Sequence, residues 1–591
     1  MLRTHYCGEL RKKNVGEKVK LVGWVATRRD HGDIIFIDLR DRYGLTQIVF
    51  DPARNKEAHE NSHALRNEYC VLVHGAVSER PVGTKNEKIP TGEIEIYVEK
   101  LEILSESLTL PFEVKDGENV SEEVRLKYRY LDLRRNSMQR KLEMRHKAYK
   151  HIINFLDSEK FLYIDTPMLT KSTPEGARDY LVPSRVQQGS FYALPQSPQI
   201  FKQILMVSGC ERYFQLARCF RDEDLRADRQ PEFMQIDIEM SFIDVEDIFD
   251  VCERMFKGLY LELLGKELKT PFPRMPHHEA VSRYGCDKPD TRFDVFLHEL
   301  TEDVKDSEFK VFKNVVASGG KVIALAAPGY KDISRKEIDD LTAFVGEYGA
   351  KGLAYFKVED TGLTSQISKF FNEATLKLFK EKTGAKPGDM IFMVADDKKT
   401  AYDAMSALRL KIGRDKNLID KSRFNFLWIV DFPLFAYNKD EKRWESEHHP
   451  FTNFYPEDMA HIDKGDLGKV RSKSYDLVLN GSEIGSGSIR IHRRDVQKKI
   501  FDILGITDEE CQVKFGFMLE AFQYGPPPHG GVAFGLDRLI TLFTGDSSIR
   551  EVIAFPKNQK GACPLSGAPS MVDEKQLRDL GIKLKPGQSN A

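Results

Sequence analysis

Arginine and acidic side chains crowd a loop between two expected strands, in the segment CFRDEDLRADRQPEFMQID from Cys219 to Asp237. The arginine guanidinium is planar and forked, so it suits the clamping of a phosphate or a carboxylate. The same charges would also suit a surface turn held by salt bridges. This segment alone therefore leaves an anion-binding loop and a solvated turn both open.

A second candidate is the segment VLNGSEIGSGSIR, which follows Asp476, contains Glu483 and ends at Arg490. The two acids, on adjoining strand segments, could share a hard cation such as Mg²⁺, which takes oxygen ligands. The glycines of the segment let the backbone approach a ligand closely. A tight hairpin without any ligand explains the same residues.

A third candidate, GGVAFGLDRL, brings Gly535, Asp537 and Arg538 to an expected junction between a strand and a helix. Glycine at this junction permits close packing against a flat ring, and Arg538 could reach a polyphosphate. Gly-rich turns from strand to helix are common in unrelated folds, so the short string is weak evidence by itself.

The elements that carry these segments are of mixed type. Residues 19–50 alternate apolar and polar side chains, and the pattern continues to about residue 104, which predicts five short strands and a small barrel such as an OB-fold. Further on, VEDIFDVCERMFKGLYLELLG has helical spacing, whereas FLYIDTPMLT, a strand ending in Pro167, and NFLWIVDFPLF read as strands. Antiparallel strands with segregated helices predict an α+β fold rather than a doubly wound sheet.

The composition excludes a disordered or membrane-embedded chain. Of 591 residues, 41% are hydrophobic and 30% are charged, which is a globular balance, and the length predicts about three or four domains. We see no membrane-spanning apolar run and no charged-then-apolar leader, so we expect no membrane contact and a cytoplasmic location. The eight cysteines form no C-x-x-C pair, which predicts buried reduced thiols rather than a zinc ribbon or a disulfide framework.

The net charge of −2 does not favour nucleic-acid binding, which needs cations to neutralise phosphates, so such binding would have to use local patches. One patch is the basic, tyrosine-containing stretch from Arg125 to Lys150. A solvated amphipathic helix is the explanation that this stretch alone favours.

In their order along the chain, these segments resemble a known family. FRDE…RQPEF followed by GLDR resembles motifs two and three of class II aminoacyl-tRNA synthetases, and Pro167 looks like the motif-one proline at their dimer interface. TPEGARDYLVPSR, ALPQSPQIFKQ, HHPFT and FGLDR together resemble bacterial-type aspartyl-tRNA synthetases, over about residues 1–560. The resemblance implies a homodimer that activates L-aspartate with ATP and transfers it to tRNA.

It also implies the architecture: an N-terminal OB-fold β-barrel, an antiparallel-sheet catalytic domain and an inserted α+β domain. The domains we predict are an anticodon-binding barrel at 1–106, a linker at 107–130, a catalytic domain at 131–287 and 423–560, the insertion at 288–422 and a C-terminal extension at 561–591.

For ATP and its metal, the resemblance implies Arg221 on the α-phosphate, Arg538 on the γ-phosphate, and Asp476 and Glu483 on Mg²⁺. The attacking carboxylate is already ionised, so catalysis should rest on positioning and on neutralising phosphate charge. The predicted catalytic residues are therefore Arg221, Glu483 and Arg538. The other expected ATP contacts are Asp222, Glu223, Gln230, Gly535, Leu536 and Asp537.

Choosing aspartate over asparagine is an electrostatic problem, because only aspartate carries a side-chain charge. A cationic pocket gains charge-assisted bonds from the carboxylate and is left uncompensated by the amide. By resemblance, Lys202 and Arg490 supply that pocket and Asp237 orients them. The other expected aspartate contacts are Arg221, Gln199 and Glu175 at the ammonium group, and His449, which we favour over His448; ordinary packing is the alternative for either histidine.

The barrel is expected to read the anticodon, since single-stranded bases stack on aromatic rings and are read at their edges. The resemblance implies Phe36 as the stacking platform, with a core position as its alternative, and Arg29, Gln47 and Glu95 as edge readers. His31 and Gly83 resemble the relaxed enzymes that aspartylate both tRNA-Asp and tRNA-Asn, which these two residues therefore predict for this chain.

Three other interpretations remain open. The first is an aspartyl enzyme strictly specific for tRNA-Asp. The second is a non-catalytic tRNA-binding paralogue, although Arg221, Glu483 and Arg538, whose loss would indicate it, are all present. The third is a ligase of the same fold that acts on asparagine or lysine, or that forms asparagine without tRNA; Lys202 and Arg490 argue against the former and the barrel against the latter.

Overall fold

The computed structural model describes residues 1–172 and 176–585. Within them the predicted α+β fold is confirmed, with a closed barrel, a large sheet and a separate sheet in the inserted segment. The chain forms two compact units. The first comprises residues 1–146, 225–230 and 544–572, and the second comprises 147–224, 231–543 and the chain from 573 onward. The finer domain boundaries stay predictions.

The N-terminal strands close into a five-stranded barrel, in which each strand directs every second side chain to the core. In the second strand Ile35, Ile37 and Leu39 point inward, which leaves Phe36 and Asp38 on the outer face. The elements are β1 (Lys18–His31), β2 (Ile34–Asp41), β3 (Gly44–Phe50), α1 (Lys56–Ser62), β4 (Cys70–Glu79) and β5 (Ile94–Ser105), and their order in the barrel is β1-β2-β3-β5-β4.

The basic stretch after the barrel forms α2 (Glu122–Lys127), α3 (Arg129–Asp132) and α4 (Asn136–Ser158). Two of its arginines are engaged inside the protein: Arg125 bonds Asp132 at 3.0 Å and Glu551 at 2.7 Å, and the buried Arg129 bonds Asp132 at 2.6 Å. The beginning of this stretch is thus neither a free phosphate-binding patch nor a solvated helix face.

The next block of the chain contains the first strands of an eight-stranded sheet, together with helices and a separate two-stranded sheet. Its first elements are β6 (Leu162–Tyr163), β7 (Leu181–Pro183), β8 (Phe191–Ala193), α5 (Gln199–Val207), β9 (Arg212–Phe220), β10 (Glu232–Ser241), α6 (Val245–Leu264), β11 (Arg274–Pro276) and α7 (His277–Tyr284). Strands β9 and β10 form an antiparallel hairpin, and its ends carry the arginine-rich loop.

The inserted segment has its own five-stranded antiparallel sheet, with apolar cores on both faces. Side chains of its central strand alternate between the cores, with Met390 and Phe392 on one face and Ile391 and Met393 on the other. Its elements are β12 (Leu297–Glu299), α8 (Thr301–Val304), α9 (Lys310–Ala317), β13 (Lys321–Ala327), α10 (Arg335–Gly346), β14 (Ala354–Glu359), β15 (Gly362–Thr364), α11 (Glu373–Thr383), β16 (Met390–Asp396) and α12 (Lys398–Asp415).

The chain then returns to complete the eight-stranded sheet. The elements are β17 (Phe426–Val430), β18 (Phe435–Asn438), β19 (Arg443–Ser446), α13 (Met459–Lys464), β20 (Ser474–Leu479), β21 (Ser482–Ile489), α14 (Arg494–Ile503), α15 (Asp508–Ala521), β22 (His529–Gly535), α16 (Leu536–Thr544) and α17 (Glu574–Asp579). The strand order is β11-β17-β20-β21-β22-β10-β9-β6, so the hairpins β9–β10 and β20–β21 lie on either side of β22.

Two predicted strands are shorter than expected. The strand expected to end at Pro167 pairs only at Leu162 and Tyr163, and the chain then leaves the sheet while Thr166 donates to the side chain of Gln215 at 2.9 Å. The strand NFLWIVDFPLF is interrupted because Asp431 has a φ of 56°, a left-handed conformation that no strand continues.

All eight cysteines are free thiols, five of them buried and three half-buried. In the part of the chain that the structure describes, no helix has the length and apolarity needed to cross a membrane.

Candidate active site

Strand β10 places two carboxylates side by side on one face. Asp237 and Glu239 are two residues apart, so both project from the same face, whereas Ile236 and Ile238 project into the core on the other. Both carboxylates are fully buried. Buried charges are costly unless they are paired, so this face must be matched by cations.

The matching cations are Lys202 from α5 and Arg490, just after β21, each only 2% exposed. Lys202 Nζ lies 3.1 Å from Asp237 Oδ2 and 3.3 Å from Glu239 Oε2. The guanidinium of Arg490 donates to both oxygens of Glu239, from Nε at 3.0 Å and Nη2 at 3.1 Å. The structure thus brings Lys202, Asp237 and Arg490 together as predicted, but it inserts Glu239 as the bridge.

Glu239 is a site residue that the sequence did not predict. Its signal was the two-residue spacing from Asp237 in a strand that otherwise alternates with apolar residues. Glycine on the neighbouring strand makes room for it, because a Cβ at Gly531 would clash with Glu239 Oε2. Glu239 and Gly531 are direct partners in the pairing of β10 with β22.

These contacts separate the pKa values of the two carboxyl groups. Burial, together with the adjacent Glu239, raises the pKa of Asp237 to about 6 in spite of Lys202. Burial also acts on Glu239, but Arg490 and Lys202 hold the pKa of that carboxyl below its ordinary value. Glu239 therefore stays anionic at neutral pH, whereas Asp237 titrates just below it.

His449 lies against the same cluster. Its Nε2 is 2.8 Å from Arg490 Nη1, which also donates to Ser488 Oγ at 2.6 Å. Burial and the neighbouring Arg490 hold the pKa of His449 well below its ordinary value, so the ring is neutral. Its Nδ1 accepts from the backbone N–H of Phe451 at 3.2 Å, which fixes the ring beside the guanidinium of Arg490.

Two polar atoms on this cluster are buried and make no hydrogen bond: Gln199 Nε2 at the start of α5 and Asp237 Oδ1. Native proteins rarely leave buried polar atoms without a hydrogen bond, and such atoms often mark ligand-binding positions. Gln199 was predicted at the substrate ammonium group. Glu175, the other residue predicted there, lies outside the described residues.

Arg221 follows β9 directly, where its backbone N–H donates to Pro231 O at 2.9 Å across the hairpin. Its guanidinium carbon lies 5.2 Å from the centre of the Phe233 ring, and its Nε is buried without a hydrogen bond. The backbone N–H of the next residue, Asp222, donates to Arg178 O at 3.0 Å. Glu223 follows and is half-buried.

Gln230, expected at ATP, makes two hydrogen bonds to the backbone of Lys557. Its Nε2 donates to the carbonyl at 3.0 Å, and its Oε1 accepts from the N–H at 2.8 Å. The side chain is buried and fixes this loop segment in the first structural unit.

The four residues predicted at the junction of β22 with α16 have different surroundings. Arg538 donates to the backbone carbonyl of Glu483, which ties the junction to β21. Asp537 accepts from the backbone N–H of Met234 at 2.8 Å, and Leu536 is buried in the core. At Gly535 a Cβ would come no closer than 3.7 Å to any atom of another residue, so packing alone does not require a glycine there.

Asp476 and Glu483 come from the paired strands β20 and β21. Burial and the Asp476 carboxylate raise the pKa of Glu483, although Arg538 and Lys288 oppose the shift. Asp476 Oδ1 is buried without a hydrogen bond and lies 3.7 Å from His448 Nε2. Two carboxylates under mutual repulsion fit a divalent cation, which would neutralise both.

No cluster of three or more His, Cys, Asp or Glu side chains suited to a metal occurs in residues 1–172 and 176–585. A magnesium ion that keeps most of its coordination for water and phosphate oxygens needs only one or two protein carboxylates, so the pair is compatible with this ion. Lys288, which the sequence did not predict, adds a cation here: despite burial, Asp287 and Glu483 raise its pKa.

On the barrel, the predicted anticodon residues form one connected row on the outer face. Arg29 donates to Asp38 through two bonds of 2.8 Å and to Gln47 at 3.3 Å, and Gln47 donates to Glu95 at 2.8 Å. Phe36 lies on the same face, half-buried and outside the apolar core of the barrel. Asp38 was missed, although it follows Phe36 at a spacing of two.

The two residues expected to relax tRNA specificity both lie in barrel connections. His31 is the exposed last residue of β1, with its ring edge-on to Phe36 at 6.0 Å. Gly83 lies between β4 and β5 at a φ of 85°, a conformation that favours glycine. The turn itself thus gives Gly83 a structural reason in addition to the predicted functional one.

Comparison with known families identifies the class. Residues 121–559 match the family of class II tRNA synthetases (D, K and N), and residues 19–104 match an OB-fold nucleic acid binding domain. The chain therefore belongs to the class II aminoacyl-tRNA synthetases.

Among individual relatives, the chain is 54% identical to the aspartate--tRNA(Asp/Asn) ligase of Endomicrobium trichonymphae, with 99% of both chains covered. It is also 54% identical to the aspartate--tRNA ligase of Halalkalibacterium halodurans, over 100% of this chain and 99% of the relative.

Solved structures give the same fold at low identity. An asparaginyl-tRNA synthetase from Pyrococcus horikoshii with bound asparaginyl-adenylate has a TM-score of 0.59 and 19% identity, covering 94% of this chain and 98% of that one. A putative aspartyl-tRNA synthetase from Leishmania major has a TM-score of 0.58 and 19% identity, covering 94% of both chains.

Proposed function

We propose that this synthetase activates L-aspartate with ATP to aspartyl-adenylate and transfers the aspartyl group to the 3′ end of tRNA-Asp and also of tRNA-Asn. The observation that carries the choice of amino acid is the buried pair of cations, Lys202 and Arg490, held by Glu239. The names of relatives at 54% identity support the same substrate.

The pocket favours aspartate over asparagine by charge. The substrate carboxylate bonds to Lys202 and Arg490 with charge-assisted hydrogen bonds, which an amide cannot match. An asparagine amide would lose these charge-assisted bonds, and such a loss discriminates strongly between isosteric ligands. Gln199 and Glu175 hold the substrate ammonium group, and His449 lies beside Arg490.

In the first step a carboxylate oxygen of aspartate attacks the α-phosphorus of ATP, a new P–O bond forms, and the bond to pyrophosphate breaks. No proton has to move, because the nucleophile is already anionic. Arg221 neutralises charge on the α-phosphate and Arg538 on the γ-phosphate. Asp222, Glu223, Gln230 and the junction Gly535–Asp537 shape the nucleotide site.

Asp476 and Glu483 hold Mg²⁺ in this proposal. When bound, this ion would offset the negative charge of the phosphates. The mutual repulsion that raises the pKa of Glu483 supports the assignment, since a cation between the two carboxylates would relieve it. In the second step a ribose hydroxyl at the 3′ end of tRNA attacks the activated carbonyl, an ester bond forms as the bond between the carbonyl carbon and the phosphate oxygen breaks, and AMP leaves with the hydroxyl proton on its phosphate.

The barrel row reads the anticodon, with Phe36 as a stacking surface and with Arg29, Gln47 and Glu95 at base edges. Around this row, the exposed His31 and the small residue at Gly83 leave room for either pyrimidine, C or U, at the third anticodon base. These two residues favour the relaxed enzyme. A strictly tRNA-Asp-specific enzyme is the second candidate, because relatives of equal identity carry both names.

We also propose that the enzyme is a homodimer acting in the cytoplasm, where translation consumes charged tRNA. The segment around Pro167 supports the dimer, because Leu162, Tyr163, Met168 and Leu169 are exposed apolar side chains close to it in sequence. Exposed apolar side chains that form one patch typically mark an interface. The domain boundaries predicted from the sequence are part of the same proposal.

ATP–pyrophosphate exchange with a panel of amino acids tests the amino-acid assignment. We expect exchange with aspartate and none with asparagine or lysine, and we expect Lys202→Leu to abolish it. The matched control is Lys377→Leu, at a helix surface position whose side chain is 76% exposed, which should leave exchange unchanged. Near-normal exchange in Lys202→Leu would contradict the pocket assignment.

Charging of purified tRNA-Asp and tRNA-Asn with aspartate tests the tRNA assignment. The relaxed enzyme charges both, whereas the strict enzyme charges only tRNA-Asp. Absence of aspartyl-tRNA-Asn at high enzyme concentration, with full charging of tRNA-Asp in the same preparation, would leave the strict enzyme as the answer.

A further inference from the structure

The short segment Ala177–Tyr180, here called the strap, bonds to Gln196 on one side and to the arginine-rich hairpin on the other, and none of its residues is fully buried. Its residues are half-buried or exposed, and the Arg178 side chain is 74% exposed. Segments with few buried apolar contacts open easily unless hydrogen bonds hold them. The position of the strap therefore depends on its polar contacts.

One buried amide makes three hydrogen bonds to the strap. Gln196 is 3% exposed, and its Nε2 donates to Ala177 O at 2.9 Å and to Asp179 Oδ1 at 2.6 Å. Its Oε1 accepts from Ala177 N–H at 3.1 Å. The amide thus satisfies both backbone groups of Ala177 and holds a carboxylate, which a hydrophobic side chain of the same size could not do.

The opposite edge of the strap bonds to the arginine-rich hairpin. Arg178 O accepts from the backbone N–H of Asp222 at 3.0 Å, and Arg178 Nε lies 3.3 Å from Asp222 O and 3.5 Å from its carboxylate. Asp222 directly follows Arg221, and Gln196 precedes Gln199 by three residues. The strap therefore connects the predicted phosphate-binding arginine with the helix that carries the predicted aspartate contacts.

We propose that Gln196 is a positioning residue for amino-acid activation: it fixes the strap so that Arg221 and the aspartate pocket on α5 keep one geometry. This inference rests on the proposed function, because the geometry matters only if both substrates meet there. Gln196 itself contacts no reacting atom, and it acts through Ala177 and Asp179.

The decisive variant is Gln196→Glu. The new carboxylate still accepts from Ala177 N–H, but it loses both donated bonds and places a second negative charge beside Asp179. The kcat of aspartate-dependent ATP–pyrophosphate exchange should fall about tenfold or more, on the scale of one or two lost buried hydrogen bonds. The KM for ATP should change much less, since no ATP contact is removed.

A swapped pair tests the contact itself. In the double variant with Asp179→Asn, the new amide donates to the carboxylate at position 196 and still accepts from Ser172 Oγ, which now donates to Asp179 at 2.6 Å. We expect the double variant to recover most of the lost kcat. Gln187→Glu, the same change at an exposed glutamine on the adjacent turn, should leave exchange unchanged.

Trypsin gives a readout independent of activity, because it cleaves after Arg178 only when the strap is released. Cleavage there should be faster in Gln196→Glu than in the wild type and should slow again in the double variant. Normal kcat and normal cleavage in a folded Gln196→Glu protein would overturn the proposal. If that variant fails to fold, the double variant decides, and a folded double variant without exchange would also overturn it.

The wild type separates this proposal from the function on which it rests. Wild-type protein that shows no aspartate-dependent exchange would refute the proposed function, whatever the variants do. Wild-type exchange combined with an unaffected Gln196→Glu variant would refute the positioning role alone.

Discussion

Two polar networks in this protein have similar residue types but opposite surroundings. In the aspartate pocket Lys202 and Arg490 are 2% exposed and share a fully buried Glu239. On the barrel the Arg29 side chain is 40% exposed and its partner Asp38 21%. Water screens the barrel pair, whereas the pocket charges depend on one another. The pocket is therefore built as a fixed charge template. On the barrel, the Arg29–Asp38 end of the row is free to exchange its partner for a nucleotide base, whereas Gln47 and Glu95 are only 8% and 2% exposed.

The largest effect is expected for Glu239→Gln. This change leaves Arg490 buried without an anion and Lys202 with Asp237 alone, and removing one partner of a buried charge network costs about 3 kcal/mol or more of folding stability. Urea unfolding should show this loss together with loss of aspartate-dependent exchange. A variant of wild-type stability would mean that the pocket is hydrated rather than desolvated.

A steric change in the same pocket should have a smaller effect. In Gly531→Ala the new Cβ would clash with Glu239 Oε2 and with the backbone carbonyl of Ile238, so the carboxylate must turn away from Lys202 and β10 must shift locally. Such overpacking costs about 2 kcal/mol, and the KM for aspartate should rise. Gly530→Ala is the control, because its Cβ mainly meets the side-chain tip of Ile489. Equal KM values for the two variants would argue against a role of Gly531 in seating Glu239.

The titration of Asp237 predicts that aspartate binding in the pocket depends on pH. Its carboxyl is protonated below a pKa of about 6 and anionic above it, and the anion repels the incoming substrate carboxylate. With ATP saturating, the KM for aspartate should rise severalfold as the pH increases through 6, and Asp237→Asn should flatten the profile. An identical slope in Asp237→Asn would assign the titration to another group, such as His448, whose pKa Asp476 raises despite burial.

The same shift has a consequence for folding. The folded state binds this proton more tightly than the unfolded chain, where the group has its ordinary value of 3.8. The contribution of Asp237 to stability is therefore greatest below that value and declines as the pH rises from 3.8 towards 6. Asp237→Asn should remove this part of the pH dependence in thermal unfolding.

The sequence was informative wherever function imposes residue type and spacing together. The barrel strands followed from their two-residue alternation, and the motif segments identified Arg221, Glu483, Arg490 and Arg538 before any geometry was available. The fold class needed no more than these patterns. The roles of the individual site residues stay predictions, because proximity in the fold is compatible with them without testing them.

What the sequence did not reveal depends on contacts between distant strands. The sequence did not predict that Glu239 joins Lys202 and Arg490, because these two residues lie on other elements. The need for glycine at position 531 becomes clear only from the pairing of β10 with β22. The interruption of the strand at Asp431 was not predicted, because the amino-acid sequence rarely indicates a left-handed φ at a non-glycine residue. Gln196 reads as an ordinary polar residue until its buried amide contacts are known.

The smallest stability effect is expected on the barrel, where Arg29→Ala removes a half-exposed pair with Asp38. Such pairs contribute less than about 1 kcal/mol, so unfolding should be nearly unchanged. Aminoacylation of tRNA should nevertheless fall, because a predicted base-edge reader is gone, while tRNA-independent pyrophosphate exchange should stay at the wild-type rate. Arg54→Ala, at an exposed arginine over the Tyr97 ring of the same barrel, is the matched control. A loss of exchange in Arg29→Ala would mean that the barrel residue acts on amino-acid activation. It would contradict the assignment of activation to the pocket network and of anticodon reading to the barrel network.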